Sequence, residues 1–202
     1  MIVLLISVLL ILVALILLFV IITSFFFAID LFLDLPYVAT KGEKIETIIK
    51  LAQIKKGETV VDLGSGDGRL LFAAARAGAR AIGYEINPFL IVLTRIKSHL
   101  LLLRARRSNP STRHSGERSD SRIDSGQARM TGRVVVKRQN LWKADLKIAD
   151  VIFVYGRRKT MPKFEDFVYK NAKRGTRVIV NTNPLTGKRH FKSINDIFLY
   201  KV

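Results

Sequence analysis

VVDLGSGDGRLLFAAARAGARAIGYEINP, residues Val60 to Pro88, carries the reading of this chain. Thr59 to Leu63 is a short apolar run with β-branched residues, which predicts a buried strand. Gly68 to Gly78 is rich in Ala and Leu, a helix stopped by its last glycine, and Ala79 to Tyr84 is a second strand closed by Glu85. Between the first strand and the helix, residues 62–68 hold three glycines (Gly64, Gly66, Gly68) and two carboxylates (Asp62, Asp67). A glycine turn opening a helix commonly cradles a phosphate. Two acids beside it oppose an anion, so the ligand must have another character.

Working outward, the strand–helix alternation continues. Glu46 to Ile54 has apolar residues at helical spacing, and Pro88 to Leu103 is a helix with Pro in its first turn. Val134–Arg138, Asp150–Tyr155, Arg177–Asn181 and Ile197–Lys201 read as further strands, and Met161–Ala172 as a helix. Near-continuous apolar strands alternating with helices predict an α/β, doubly wound, mostly parallel Rossmann-like sheet covered on both faces. In such sheets ligands sit at the carboxyl ends of the strands, where the glycine turn and Glu85 both fall.

Residues 1–29 carry no charged side chain and only the hydroxyls of Ser7, Thr23 and Ser24. A helix of that length reaches roughly 40 Å, more than a bilayer core of ~30 Å. A signal peptide fits less well, because no basic n-region or small-residue cleavage site frames the run. The segment is expected to be a single-pass membrane anchor, followed by a linker over 30–45 and a catalytic domain over 46–202. Lys41, Lys44, Lys50, Lys55 and Lys56 follow it, which places the domain on the cytoplasmic side.

The formal charge is +18, from 34 Lys and Arg against 16 Asp and Glu, but ten of the 34 fall within 104–138. Residues 107–132 (RSNPSTRHSGERSDSRIDSGQARMTG) hold almost no large apolar residue and are expected to form a disordered insert. They lack the aromatics on which bases would stack, so nucleic acid is disfavoured as a partner and a lipid bilayer favoured. There is no cysteine, and His99, His114 and His190 show no ligand spacing, so no metal site is expected.

A ligand with a cationic centre resolves the conflict in the turn. S-adenosylmethionine has a sulfonium, an ammonium and no phosphate. Gly64, Gly66 and Gly68 would let backbone approach it, Asp62 would face the ammonium, and Glu85 would accept the ribose hydroxyls. The rival is a dinucleotide, whose G-x-G-x-x-G differs from the G-S-G-D-G found here, where the third glycine comes one residue early.

The quoted stretch resembles the cofactor half of class I methyltransferases. The anchor, Pro36-Tyr37-Val38-Ala39-Thr40, NLWKADLKIADVIFVYG (140–156) and the ending IFLYKV narrow the likeness. They are similar to the membrane-anchored protein-lysine methyltransferases whose mitochondrial members modify the adenine nucleotide translocase and the c-type membrane protein of ATP synthase. The resemblance implies a membrane-associated protein substrate. It also implies an adenine-side residue after the third strand, an Asp in the family and Asn140 here. Tyr155 and Tyr37 are the candidates for receiving a hydrogen bond from the acceptor amine, and no His, Asp or Glu is placed as a general base. Tyr155-Gly156-Arg157-Arg158 lacks the Pro-Pro-aromatic run of base methyltransferases, and Asn181-Thr182-Asn183-Pro184 reads as a turn. The alternatives are a small-molecule or lipid head-group methyltransferase, and a degenerate homologue without activity.

Overall fold

A computed structural model of the chain describes residues 1–32, 40, 42–107 and 134–202. It divides into two compact units, Met1–Tyr37 and Val38–Val202.

The first unit contains α1 (Ile2–Phe32), in which Ile2–Phe25 is long and apolar enough to cross a membrane. Two of its three hydroxyls are bonded back to the helix: Ser7 Oγ donates to the Val3 carbonyl at 2.9 Å and Thr23 Oγ1 to that of Phe19 at 3.0 Å. Both donors are satisfied within the helix, as an apolar solvent demands.

The second unit is a seven-stranded sheet flanked by helices. Its elements are α2 (Gly42–Ala52), β1 (Thr59–Leu63), α3 (Arg69–Arg76), β2 (Arg80–Glu85), α4 (Pro88–Arg107), β3 (Val134–Arg138), β4 (Val151–Tyr155), α5 (Met161–Asn171), β5 (Arg177–Asn181), β6 (Lys192–Ile194) and β7 (Ile197–Lys201). The strand order is β3-β2-β1-β4-β5-β7-β6, parallel from β3 to β5, with β7 antiparallel to both β5 and β6. The chain lays strands outward from β1 in one direction and from β4 in the other. The switch point lies between them, and ligands of open α/β sheets bind in the crevice it creates.

The core explains the order. Ile48, Leu51 and Ala52 of α2 and Leu70, Leu71 and Ala74 of α3 bury against Val60, Ala81, Phe153 and Ile179 of the sheet. Fully burying one such aliphatic side chain contributes about 2 kcal/mol.

Several bounds shift by one or two residues from the sequence expectation, and two helices and one strand depart further. The helix expected over Glu46–Ile54 runs instead from Gly42 to Ala52 and ends where Gln53 turns left-handed (φ 46°). The helix expected to stop at Leu103 continues to Arg107, taking the first residue of the expected insert. Strand β6 has no counterpart in the sequence expectation; it pairs with β7 across Asn195 and Asp196, whose φ values of 49° and 59° make a two-residue type I′ turn. The rest of the expected insert, 108–132, lies outside the described residues.

Candidate functional site

β1 and β2 run in register, with Asp62 beside Gly83 and Leu63 beside Tyr84. Past Leu63 the chain turns through Gly64, Gly66 and Gly68, all left-handed at φ 93°, 55° and 77°. This loop folds back over β2. A Cβ on Gly83 would stand 2.5 Å from Ser65 Oγ and 2.6 Å from Leu71 Cδ1, so the strand must be bare there. Gly83→Ala is therefore expected to cost about 1–3 kcal/mol of stability, read as a lower urea midpoint of the full chain in detergent.

The loop's N–H groups decide what kind of ligand it can take. Gly64 and Ser65 N–H donate to the Tyr84 carbonyl at 3.0 and 3.1 Å, and Gly68 N–H to that of Ser65 at 3.0 Å. Gly66 N–H donates to Glu85 Oε2 at 2.8 Å. A phosphate nest needs such groups aimed outward. Here they are bonded inside the protein, which counts against the dinucleotide alternative.

Three carboxylates gather around the loop in very different environments. Asp67 is buried, yet Arg69 Nε reaches its Oδ1 at 2.9 Å and Lys97 Nζ its Oδ2 at 2.6 Å. Burial alone would raise its pKa, but these two cations outweigh that and hold it far below the usual carboxylate range. Thr94 Oγ1 adds a hydrogen bond to the Gly66 carbonyl at 3.2 Å, so α4 clamps the loop from beneath. Glu85, also buried, accepts Gly66 N–H on Oε2, and Ile86 and Asn87 N–H on Oε1, both at 2.9 Å. Asp62 is buried at the tip of β1 and, among the described residues, no hydrogen bond or ion pair reaches its carboxylate. Burial first, then the charges of Glu85 and Asp67, push its pKa up to about 7.

The sequence-derived candidates separate. Asp62, Gly64, Gly66, Gly68 and Glu85 come together at the ends of β1 and β2. Asn140 follows β3, exposed, and its Oδ1 accepts Trp142 N–H at 3.0 Å, capping a short 3-10 turn over Leu141–Lys143. Tyr155 ends β4, half-buried and beside Asn181 in register. Tyr37 lies outside the described residues.

Sequence reasoning missed the clamp of Asp67, Lys97 and Thr94, since its members lie about thirty residues apart. It also took Asn181–Pro184 for a plain turn. Asn181 is buried, Thr182 holds a left-handed φ of 70°, and Asn183 Nδ2 donates to the Gly156 carbonyl at 2.8 Å, tying the tips of β5 and β4. A β-branched residue in that conformation was the detectable oddity, but only with coordinates. Among the described residues no group of three or more His, Asp or Glu could hold a metal.

Solved structures share the fold of the second unit. An RNA methyltransferase from Salinibacter ruber, in complex with S-adenosyl-L-homocysteine, superposes with a TM-score of 0.64 at 21% identity, over 81% of this chain and 93% of its own. An rRNA methyltransferase from Streptomyces viridochromogenes does so with 0.54 at 13% identity, over 82% and 86%. This is the class I methyltransferase fold. At such identities the likeness concerns fold alone and says nothing of an RNA substrate.

By sequence the chain is similar to protein-lysine methyltransferases. It is 44% identical over 64 residues to a lysine N-methyltransferase of Rattus norvegicus named for its ATP synthase substrate, covering 32% of this chain and 29% of that protein. It is 29% identical over 158 residues to the adenine nucleotide translocase lysine N-methyltransferase of Mus musculus, covering 78% and 57%. A protein-lysine N-methyltransferase of Saccharolobus islandicus aligns at 24% over 76% of this chain and 80% of its own. The chain thus spans about a third to a little over half of the two mammalian relatives. No protein-family model matches it.

Proposed function

We propose that this protein is a membrane-anchored, S-adenosylmethionine-dependent methyltransferase acting on a lysine of a membrane-associated protein. The observation that carries the reading is Asp62, a buried carboxylate without a counter-charge among the described residues, at the switch-point end of β1 beside a loop whose Gly64, Ser65, Gly66 and Gly68 N–H groups are bonded within the protein. The relatives supply the substrate class, and the apolar α1 the anchor.

Each site residue then has a task. Asp62 binds the ammonium of the cofactor, regaining in that contact the favourable partner its burial removed. Gly64 and Gly66 would give the cofactor a floor without side chains, while Gly68 is bare because Thr94 of α4 stands 2.5 Å from where its Cβ would be. Glu85 accepts the N–H groups of Gly66, Ile86 and Asn87, which holds the two loops together, and its carboxylate is the proposed acceptor for the ribose hydroxyls. Asn140 Oδ1 would accept from the adenine amine in exchange for its cap on Trp142.

The cofactor supplies an electrophilic methyl group on a sulfonium. The chain's contribution is alignment and exclusion of water around a nucleophile that must be neutral. A lysine amine starts near pKa ~10.4, and desolvation in the crevice lowers it. Tyr155, at the β4 tip, is the candidate to accept a hydrogen bond from that amine. The lysines that follow α1 orient the domain toward the cytoplasmic side, and tethering raises its concentration near substrates in the same bilayer.

Incubating the full chain with membranes and methyl-labelled cofactor tests this. Acid-stable label in a protein band, lost when its lysines are blocked, is the expected result. Label that extracts into organic solvent would redirect the assignment to a lipid head group, and no label despite cofactor binding would mark a degenerate homologue.

A further inference from the structure

Helix α4 is apolar on two opposite faces. Ile91 and Thr94 are buried against the domain, 3% and 1% exposed. On the other side Val92, Leu93, Ile96, Leu100 and Leu103 recur at three- and four-residue spacing and stand in the open, with Val92 52% and Ile96 51% exposed. A solvated helix presents polar residues on its outer face. A continuous outward stripe of five aliphatic side chains marks a surface that meets something apolar.

Three occupants are chemically available. The chain's own 108–133 segment is too polar, with only Ile123, Ala128 and Met130 to set against the stripe among its Ser, Arg and Gly. A second copy of the helix would bring exposed Arg95 and its neighbours against like charges. The third fits. Exposed Arg95 and His99 border the stripe, and the helix sequence continues through Arg104, Arg106 and Arg107. An apolar stripe bordered by an exposed arginine, in a sequence that runs on into further arginines, has the composition of a helix lying in the interface of an anionic bilayer. The same chain carries a helix long and apolar enough to cross a membrane, and only nine residues separate Phe32 from Gly42 in sequence.

We infer that the outer face of α4 is a lipid-docking surface that beds the domain on an anionic membrane. Because α4 also clamps the glycine loop through Thr94 and Lys97, docking fixes the crevice at a set height above the lipid. The inference rests on membrane attachment and not on methyl transfer, so either can fail alone.

The absence of cysteine makes the test clean. Ile96→Cys and Leu100→Cys, with Lys170→Cys at an exposed position of α5 as control, are labelled with an environment-sensitive fluorophore. The full chain is reconstituted in phosphatidylcholine vesicles with and without phosphatidylserine, some carrying doxyl-labelled lipid. The expected result is a blue shift and loss of emission on doxyl lipid at 96 and 100 but not at 170, stronger with phosphatidylserine. Red-shifted, unquenched emission at 96 and 100 overturns the inference. So does a blue shift without lipid quenching, which would assign the face to a protein partner, including a second copy or the 108–133 segment. Cofactor titration of the same variants reports separately on the crevice.

Discussion

Asp62→Asn is expected to weaken S-adenosylmethionine binding by about 30–150-fold, the ~2–3 kcal/mol of a charge-assisted contact made in a desolvated site. The pH profile distinguishes this from mere damage. The pKa of Asp62 is raised from 3.8 to about 7, so the unliganded fold binds its proton more tightly than the unfolded chain does. Stability from that proton is fully present below pH ~4 and is lost as pH rises through about 7, on the order of 4 kcal/mol in all. A cationic ligand needs the ionised carboxylate, so affinity should move the opposite way. It should rise up to tenfold per pH unit below about 7 and level off above. The Asn variant should lose both slopes. Calorimetric titration and urea unfolding of the full chain in detergent, from pH ~5 to ~8.5, measure them.

Glu85→Ala should be the most destabilising change at the site. It leaves the N–H groups of Gly66, Ile86 and Asn87 without their acceptor, which costs roughly 2–4 kcal/mol after water reaches the more exposed of them. Cofactor binding should fall below detection, but loop disorder and lost ribose contacts would both contribute. Glu85→Gln separates them. It keeps one carbonyl oxygen for the loop and places an amide on the other side, so part of the stability should return while affinity stays low. If the Gln variant regains stability and affinity together, Glu85 is a loop brace with no ribose contact.

The bounds of β1, β3, β5 and β7 were legible in sequence because each is a short run of β-rich residues between clear breakers. Strand β6 was not, since Lys192-Ser193-Ile194 is a three-residue edge in which Ile194 alone packs toward the core, and its turn is Asn-Asp rather than the stronger Asn-Gly signal. The polar first turn of α2, Gly42-Glu43-Lys44, hid its start for the same reason. At the site, spacing alone brought Asp62, the glycines and Glu85 to adjacent strand ends. What spacing could not reveal was how the three carboxylates differ. The partners of Asp67 arrive from Arg69 and from Lys97 on α4, those of Glu85 are backbone, and Asp62 has none among the described residues. That asymmetry is a tertiary fact, and it is what the proposed pairing of Asp62 with a cationic ligand rests on.

The most direct measurement is proton release on cofactor binding. Titrating the full chain with S-adenosylmethionine at pH ~6.5, in two buffers of different ionisation enthalpy, counts the protons displaced. Asp62 is then mostly protonated and must ionise to meet the ammonium, so release of about 0.7 proton per bound ligand is expected, and none in Asp62→Asn. Tight binding without proton release, or the same release from both proteins, would contradict the pairing of Asp62 with the cofactor's charge.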